Sequence, residues 1–452
     1  IGNLLYRPEK NSIEWKALET VCSEKKLTIV KLMEKCGAIP SSHDYHFNQF
    51  VWEHFPEGIG FKGVESQPAF AEPDLPVSDV VAFSIDDAST TEIDDAFSVM
   101  PLSLGSFRIG IHIAAPALGI EPESALDKIA AARLSTVYLP GNKITMLPDS
   151  IIHHFTLTEN RLQPALSLYL DVSDDFTVIK CESRIEKIRV ATNLRNNSLE
   201  QHFNDLALNK GDFQHTYSNE LSLLWKFACK MEAQRGKSND NNDKIDYSFE
   251  IKDDRVTISE RRRGSPIDKV VSELMIYVNT EWGKQLTEAG ITGIFRSQAN
   301  GKVKMSTSPA PHQGLGVSQY TWSSSPMRRY VDLINQRQII ALLRKEAPPY
   351  QKDSHSLLVA MRDFDAAYNI YGEFQRSMER YWCLRWLLQE NIQITNAQVI
   401  KENLVKLDHI PLITRVPSLP DMAPGTYVQL KVSEIDLLER HLHAEFLQKH
   451  DA

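Results

Sequence analysis

Long apolar runs are absent from this sequence. No stretch approaches the roughly 18 apolar residues that a membrane-spanning helix needs, and no secretory signal is visible at its start. We therefore expect no membrane association. The chain begins at Ile1 and not at a methionine, which leaves open whether further sequence precedes it.

Cysteine is scarce, with 5 residues among 452. The number is odd and the spacing shows no pairs, so a disulfide framework is excluded and reduced, mostly buried thiols of a cytoplasmic protein are expected. The cysteines are Cys22, Cys36, Cys181, Cys229 and Cys383.

An excess of positive charge is also missing, because 50 Lys and Arg face 59 Asp and Glu and the formal net charge is −9. This balance argues against a nucleic-acid binder, except that binding needs only a local basic lining and not an overall excess. Arg261 to Arg263 are candidates for that lining, although they can equally form a solvated turn. The other candidates are Lys302, Lys304, Arg328 and Arg329.

Carboxylates, in contrast, are crowded between residues 86 and 95. Two like charges about 4 Å apart repel by about 4 kcal/mol at an effective dielectric constant near 20. A fold that gathers these side chains therefore needs a multivalent cation, and carboxylate oxygens suit Mg²⁺, with Mn²⁺ as a substitute. An acidic surface loop is the alternative. The acids are Asp86, Asp87, Glu92, Asp94 and Asp95, framed by apolar residues.

The local pattern predicts that two strands deliver these acids. Residues 80–85 are apolar and β-prone, so a strand is expected to end at Asp86. The polar run 88–91 then turns the chain, and residues 93–99 indicate a second strand. Asp94 and Asp95 are adjacent, so an extended backbone points them to opposite sides.

This stretch resembles the signature of the ribonuclease II and ribonuclease R family, whose catalytic RNB domain carries a D-x5-D-x-D-D pattern. The pattern falls on Asp86, Glu92, Asp94 and Asp95. Glu92 is a departure, because the family usually has Asp there, and its longer arm can shift the metal geometry. Asp87 lies outside the pattern and is expected to be a solvated acid.

The resemblance extends over residues 80 to 390, with five further motifs in the family's order. They are FRIGIHIAAPA (107–117), STVYLPGNKITMLP (135–148), SPIDKVVSELMIYVN (265–279), SSSPMRRYVDLINQR (323–337) and SMERYWCLRWL (377–387). His112, in the first of them, is expected to be a packed histidine and not a metal ligand, since hard ions prefer oxygen.

The arginine-rich motif predicts a helix with Ser325 as N-cap and Pro326 at the first helical position. Arg328 and Arg329 would then lie in the first turn, where the helix dipole favours anions. The alternative is an Arg328–Asp332 ion pair worth a few tenths of a kcal/mol. The resemblance implies that Arg328 grips the scissile phosphate.

The resemblance also implies the residues that contact RNA. Tyr138 would stack on terminal nucleotides, with a packed tyrosine as the alternative. Glu273 would reach a base or ribose, unless it is a plain surface acid. Glu379 and Arg380 are further candidates, with a structural ion pair as the alternative for Arg380.

One element of the family's nucleotide clamp is missing from this sequence. The stacking aromatic usually precedes an Asp-Tyr pair, here Asp246-Tyr247, but residues 236–244 contain no aromatic. Tyr247 or Phe249 could substitute only if the loop is rearranged.

The predicted fold class is α+β: an RNB catalytic domain with an N-terminal mostly helical domain and a C-terminal small OB-like β-barrel. The predicted boundaries are 1–66 for a helical domain, with a winged-helix-like fold as one form of it, 67–79 for a Pro-rich linker, 80–391 for the catalytic domain and 392–452 for a degenerate OB-fold-like domain. The acid-rich last domain is expected to pack on the body and to hold RNA only weakly.

The resemblance implies a hydrolytic 3′→5′ exoribonuclease that degrades single-stranded RNA to 5′-nucleoside monophosphates. Two divalent ions about 3.5–4 Å apart would activate water and stabilise the leaving oxygen, and no nucleotide cofactor is expected. The alternative is a catalytically impaired RNB-fold protein that binds RNA or a partner without cleavage.

Overall fold

The computed structural model describes residues 2–6, 8–64, 74–88, 90–210, 213–237 and 245–450. Its N-terminal part is helical, as predicted. The helices are α1 (Gly2–Tyr6), α2 (Ile13–Lys25), α3 (Ile29–Lys35) and α4 (Ser42–His54).

Hydroxyl side chains begin three of these helices. Ser12, Thr28 and Ser41 each accept a hydrogen bond from a backbone N–H in the first turn of α2, α3 and α4. Such caps satisfy donors that have no partner within the helix.

A closed barrel of five strands forms the centre of the molecule. Its order is β1-β2-β3-β6-β7, and β1 pairs with β7 in parallel to close it. The strands are β1 (Val77–Asp86), β2 (Asp95–Pro101), β3 (Phe107–Ala114), β6 (Leu162–Val172) and β7 (Val178–Arg195). β1 begins inside the predicted linker; Pro68 and Pro73 of that linker lie outside the described residues.

Side chains alternate in size along the barrel strands. Large residues such as Phe83, Phe97 and Ile111 are buried and form a core. The alternate positions are small or polar, because a barrel of few strands has little interior volume. There the buried His112 contacts the hydroxyls of Ser98 (2.9 Å) and Ser167 (2.8 Å). The prediction of a packed histidine is confirmed.

Helices and three hairpins surround the barrel. The hairpins are β4 (Val137–Leu139) with β5 (Asn142–Ile144), β8 (Ile245–Lys252) with β9 (Arg255–Arg262), and β10 (Phe295–Ala299) with β11 (Lys302–Ser306). The helices are α5 (Ala125–Arg133), α6 (Asp149–Phe155), α7 (Asn196–Glu200), α8 (Asp205–Lys210), α9 (Ser218–Gln234), α10 (Pro266–Glu288), α11 (Tyr330–Arg344) and α12 (His355–Gln389).

The predicted start of the arginine-rich helix is wrong. α11 begins at Tyr330, so Ser325 is not its N-cap and neither Arg328 nor Arg329 lies in its first turn. The reason is Asp332, whose buried carboxylate accepts the backbone N–H of Ser325 (2.9 Å) and the guanidinium of Arg329 (2.8 and 2.7 Å). These contacts fold residues 325–328 into a separate turn before the helix. The Arg328–Asp332 ion pair, the alternative to a phosphate contact, is not formed; Arg329 pairs with Asp332 instead.

The C-terminal part is a curled five-stranded sheet of order β14-β13-β12-β15-β16, in which the edge strands β14 and β16 touch. The strands are β12 (Ile394–Lys401), β13 (Leu404–Leu407), β14 (Ile413–Arg415), β15 (Tyr427–Asp436) and β16 (His441–Lys449). Its apolar residues share a core with Cys383, Leu384 and Leu387 of α12. The sheet therefore packs on the body, as predicted.

The longest helix, α12, joins all parts of the molecule. Phe374 stacks on Phe50 of α4 with ring centroids 3.8 Å apart, so the N-terminal helices rest on α12 as well. The α+β class is confirmed. Within the described ranges, no helix is long and apolar enough to cross a membrane, and all five cysteines are free.

Gly110 of β3 marks the tightest point of the barrel. A Cβ there would lie 2.5 Å from Nε2 of His112 and within contact distance of Oγ of Ser98. We expect Gly110→Ala to lower the free energy of unfolding by about 1–3 kcal/mol through overpacking, measured by urea denaturation. Gly60→Ala is the matched control, because no atom lies within 4 Å of its added Cβ. Equal stability of the two variants would contradict this packing.

Candidate active site

The predicted acids meet at one end of the barrel. Asp86 is the last residue of β1 and Asp95 the first of β2, so the two strands bring both to the same rim. They open onto a cavity of about 960 Å³. Its polar and aromatic lining includes Asp86, Asp87, Glu92, Asp94, Asp95, Tyr138, Lys143, Asn196, Tyr247, Phe249, Glu250, Arg328, Gln375 and Glu379.

Asp94 and Arg328 form the central ion pair of this cavity. Nε of Arg328 lies 3.1 Å from Oδ2 of Asp94, and the backbone N–H of Met327 lies 3.3 Å from Oδ1. Arg328 also donates to Oγ of Ser325 at 2.7 Å. Burial raises the pKa of Asp94 to about 7, although the charge of Arg328 opposes that rise. The turn at residues 325–328 thus positions Arg328 where the predicted helix would not.

Asp86 and Asp95 are carboxylates without a comparable cation. Burial raises the pKa of Asp86 to about 6, against a hydrogen bond of 2.6 Å from the Ser84 hydroxyl. Burial and then the charges of Asp86 and Asp94 raise the pKa of Asp95. The charge of Arg195 lowers the pKa of Asp86 and that of Arg328 lowers the pKa of Asp95, but burial outweighs both, so the pKa of each carboxyl stays raised.

Glu92, the departure from the family pattern, points to the β4–β5 hairpin. Its Oε2 accepts the hydroxyl of Tyr138 at 2.8 Å, and its buried Oε1 forms an ion pair with Nζ of Lys143 at 3.2 Å. Lys143 also donates to Oγ1 of Thr91 at 2.8 Å. Partial burial and the charge of Glu92 raise the pKa of Tyr138. The glutamate is therefore held by one hydrogen bond, from Tyr138, and one ion pair, with Lys143, both from the same hairpin.

The donors at this rim suit a hard cation, because they are carboxylate oxygens with uncompensated charge. Among the described residues, however, no three His, Cys, Asp or Glu side chains already stand as a ligand set. Asp86, Asp94 and Asp95 share the cavity and supply the oxygen donors and the negative charge that such an ion takes. Glu92 does not fit in this arrangement, since the Tyr138 hydroxyl donates to its Oε2 and the ammonium group of Lys143 lies 3.2 Å from its Oε1.

Aromatic side chains line the same cavity. The ring of Tyr138 is exposed while its hydroxyl is bonded, which combines features of both predictions for this residue. Tyr247 and Phe249 of β8 line the cavity too. Residues 238–244 of the segment that lacks an aromatic lie outside the described residues.

Glu379 lies in the cavity and accepts a hydrogen bond of 2.9 Å from Gln375, and burial raises its pKa. Asp87 is an exposed acid at the rim, as expected, and Asn196 donates to it at 2.9 Å.

Three predicted RNA-contacting residues lie away from this cavity. Arg329 is held by Asp332, and Glu273 is buried in an ion pair with Arg235. Arg380 of α12 donates to the backbone carbonyls of Arg440 (2.8 Å) and Ile413 (2.7 Å), so it attaches the C-terminal sheet to the helix.

The predicted basic lining is largely neutralised. Arg261 is paired with Glu200 and Asp268, and Arg263 with Asp246. Arg328 lines the cavity, whereas Lys302 and Lys304 belong to the distant hairpin β10–β11.

Lys143 is the main site residue that sequence reasoning missed. It is the cross-strand partner of Tyr138 across the turn Pro140-Gly141, where Gly141 has a φ of 75°. The Pro-Gly pair is a turn signal that could have set this register.

Comparison with known proteins agrees with this geometry. The RNB domain family model matches residues 76–305 and 297–345. These ranges cover more than half of the chain, which therefore belongs to the RNB domain family.

Individual relatives are more distant. Exoribonuclease 2 of Vibrio parahaemolyticus is 25% identical over 334 residues, covering 60% of this chain and 49% of that protein. An uncharacterized ribonuclease of Synechocystis is 26% identical over 421 residues, covering 78% of this chain and 57% of that protein. The chain spans about half the length of the curated relatives it matches.

Solved structures share the fold. The Dss1 exoribonuclease of Candida glabrata aligns with a TM-score of 0.71 at 22% identity, covering 84% of this chain and 58% of that chain. RNase R of Mycoplasma genitalium aligns with a TM-score of 0.69 at 16% identity, covering 88% of this chain and 75% of that chain. Yeast Ssd1, described as a pseudonuclease, aligns with a TM-score of 0.67 at 16% identity, covering 86% of this chain and 58% of that chain.

The raised pKa of Asp86 predicts a pH-dependent stability without metal. A carboxyl whose pKa is higher in the folded state binds its proton more tightly there. The contribution of Asp86 to the free energy of unfolding is therefore full below pH about 4 and is lost as the pH rises through about 6. In EDTA, Asp86→Asn should therefore raise the melting temperature at pH 8, by a few degrees for each kcal/mol, and the gain should shrink at pH 5. Thermal unfolding at both pH values measures this. Asp87→Asn, at an exposed acid, is the control; the same gain at both pH values for Asp86→Asn would refute the assignment.

Proposed function

We propose that this chain acts as a hydrolytic 3′→5′ exoribonuclease on single-stranded RNA and releases 5′-nucleoside monophosphates. The observation that carries the proposal is the convergence of Asp86, Asp94, Asp95 and Arg328 on one cavity at the barrel end. The relatives named as exoribonucleases and the RNB domain match support it. RNase R of Mycoplasma genitalium was solved with ribose-methylated single-stranded RNA and with double-stranded RNA, which supports RNA as the substrate.

Arg328 would bind the scissile phosphate. Its side chain is 38% exposed, and the contacts to Asp94 and Ser325 use two of the N–H groups on its guanidinium. A guanidinium has five such donors, so groups remain for the phosphate oxygens. Because Asp94 and Ser325 fix its orientation, Arg328 would be ready to offset the charge that develops in the transition state.

Asp86, Asp94 and Asp95 would hold the divalent metal, Mg²⁺ or Mn²⁺. A divalent ion bound there lowers the pKa of a coordinated water and stabilises an oxygen leaving group. The protein's own part is to keep these carboxylates together at the ends of β1 and β2, where the packed strands prevent them from separating. Ser84 orients Asp86, and Met327 and Arg328 orient Asp94.

Tyr138 would stack on a terminal nucleotide, since the residue is 39% exposed while its hydroxyl is fixed by Glu92. Base–aromatic stacking is worth about 1–3 kcal/mol per base. Tyr247, Phe249 and Glu379 share the cavity and would contact the following nucleotides. Roles in RNA binding for Glu273, Arg329 and Arg380 would require a change in their present ion pairs and hydrogen bonds.

A second candidate is an RNB-fold protein that binds RNA or a partner without cleaving. The engagement of Glu92 by Lys143 favours it, because one acid of the family pattern is then neutralised. The similarity to Ssd1, described as a pseudonuclease, is compatible with it.

Incubation with 5′-labelled single-stranded RNA and Mg²⁺ separates the two functions. We expect a ladder of shortening products that EDTA abolishes. Asp94→Asn should slow cleavage by at least about 100-fold, because it removes the charge that faces Arg328 and the metal, while RNA affinity measured by fluorescence anisotropy stays close to that of the unaltered protein. Retained binding without any cleavage by the unaltered protein would favour the second candidate, and undiminished cleavage by Asp94→Asn would refute the assignment of the acids.

Substitution of Arg328 tests the phosphate contact. Arg328→Ala is expected to lower kcat by about 10²–10³-fold with a much smaller change in KM, because the contact strengthens in the transition state. Arg328→Lys keeps the charge without the fork of donors and should recover only part of the loss. Arg362→Ala, at an exposed arginine of α12, is the matched control. A rise in KM alone would remove Arg328 from the chemistry.

A further inference from the structure

The four acids of the family pattern divide into two pairs of different surroundings. Asp94 is paired with Arg328 at 3.1 Å, and Glu92 is paired with Lys143 at 3.2 Å. Asp86 and Asp95 form no such ion pair among the described residues; the charges of Arg195 and Arg328 act on them only from a greater distance, and the two carboxylates repel each other. Two cations are therefore in ion-pair contact with two of the four carboxylates, and the other two supply two negative charges for a divalent ion.

The hairpin β4–β5 builds the contact at Glu92 into the fold. Tyr138 and Lys143 are cross-strand partners, so the pairing of the two strands brings both side chains to the same carboxylate. Lys143 is additionally anchored by Oγ1 of Thr91, the residue next to Glu92. The Lys143 side chain is 33% exposed and that of Glu92 only 3%, so the ion pair closes one side of the cavity.

We infer that Lys143 is a positioning residue that takes the place of one divalent ion at Glu92, so that the site binds a single ion at Asp86, Asp94 and Asp95. A second ion at Glu92 would have to displace the ammonium group from a carboxylate that is otherwise buried. The ammonium group of Lys143 and a metal ion at the same carboxylate would repel each other, and the burial of Glu92 limits screening of that repulsion by solvent. The inference rests on the proposed function, and it replaces the two-ion site expected from the sequence with a one-ion site.

Metal binding without RNA tests this inference directly. The full chain is stripped of metal with EDTA, dialysed and titrated with MnCl₂, and free Mn²⁺ is followed by its electron paramagnetic resonance signal. We expect one bound ion in the unaltered protein and two in Lys143→Met, because the variant releases Glu92 as a ligand. Lys143→Arg keeps the cation and should again bind one. Lys128→Met, at an exposed lysine of α5 that does not line the cavity, is the control for loss of charge alone and should bind one.

A double variant keeps the test valid if Lys143→Met does not fold, as judged by circular dichroism. Glu92→Gln with Lys143→Met replaces the ion pair by neutral groups, and it should bind one ion with a Kd within about threefold of the unaltered protein, well below the factor of ten that corresponds to 1.4 kcal/mol. Loss of binding in the double variant would show that Glu92 is a ligand and would overturn the inference. Two ions in the unaltered protein, none in it, or one in a folded Lys143→Met would overturn it as well.

The metal titration and the RNA cleavage assay can fail independently of each other. One bound Mn²⁺ in the unaltered protein and two in Lys143→Met, without RNA cleavage, would refute the exoribonuclease and leave the role of Lys143 intact. Cleavage with the same number of ions in both proteins would refute the role of Lys143 alone.

Discussion

Repulsion between carboxylates at one end of the barrel is the constraint to which the rest of the site responds. Two like charges at about 4 Å cost about 4 kcal/mol at an effective dielectric constant near 20, and burial adds to that cost. The strands tolerate it because residues next to the acids, such as Phe83 and Phe97, are buried in the barrel core. Hydrophobic burial thus holds the acids where electrostatics alone would separate them.

The two cations that form ion pairs with these acids, Arg328 and Lys143, come from segments that are hydrogen-bonded to each other. Backbone N–H of Thr136 and Oγ of Ser135 both donate to the carbonyl of Arg328, at 3.0 and 3.1 Å. The hairpin that carries Tyr138 and Lys143 begins directly after these residues. The turn with Arg328 and the hairpin with Lys143 are therefore one connected support. A shift of either segment would reach the other through these two hydrogen bonds, which explains how the site keeps its geometry without a helix beneath Arg328.

Much of the fold was predictable because its signals are local. The strand ending at Asp86, the strand after the acidic loop, the helical N-terminus and the short strands after residue 392 all follow from periodicity and turn residues. The arginine-rich segment was not predictable by the same means. Ser-Pro is a good helix start in isolation. Here the buried carboxylate of Asp332 accepts the backbone N–H of Ser325, and the helix begins only at Tyr330. Likewise, the sequence does not show that Glu273 meets Arg235, because 38 residues separate them.

The sequence by itself determined the chemistry of the site, since the acids, the arginine and their motifs are a matter of residue type and spacing. The tertiary structure decided which charges face each other: Asp94 with Arg328, Glu92 with Lys143, and Asp86 with Asp95. It also decided that Arg380 holds the C-terminal sheet and does not enter the cavity. The physical reason is that electrostatic energy depends on distance and burial, and both arise only when segments far apart in the chain pack together.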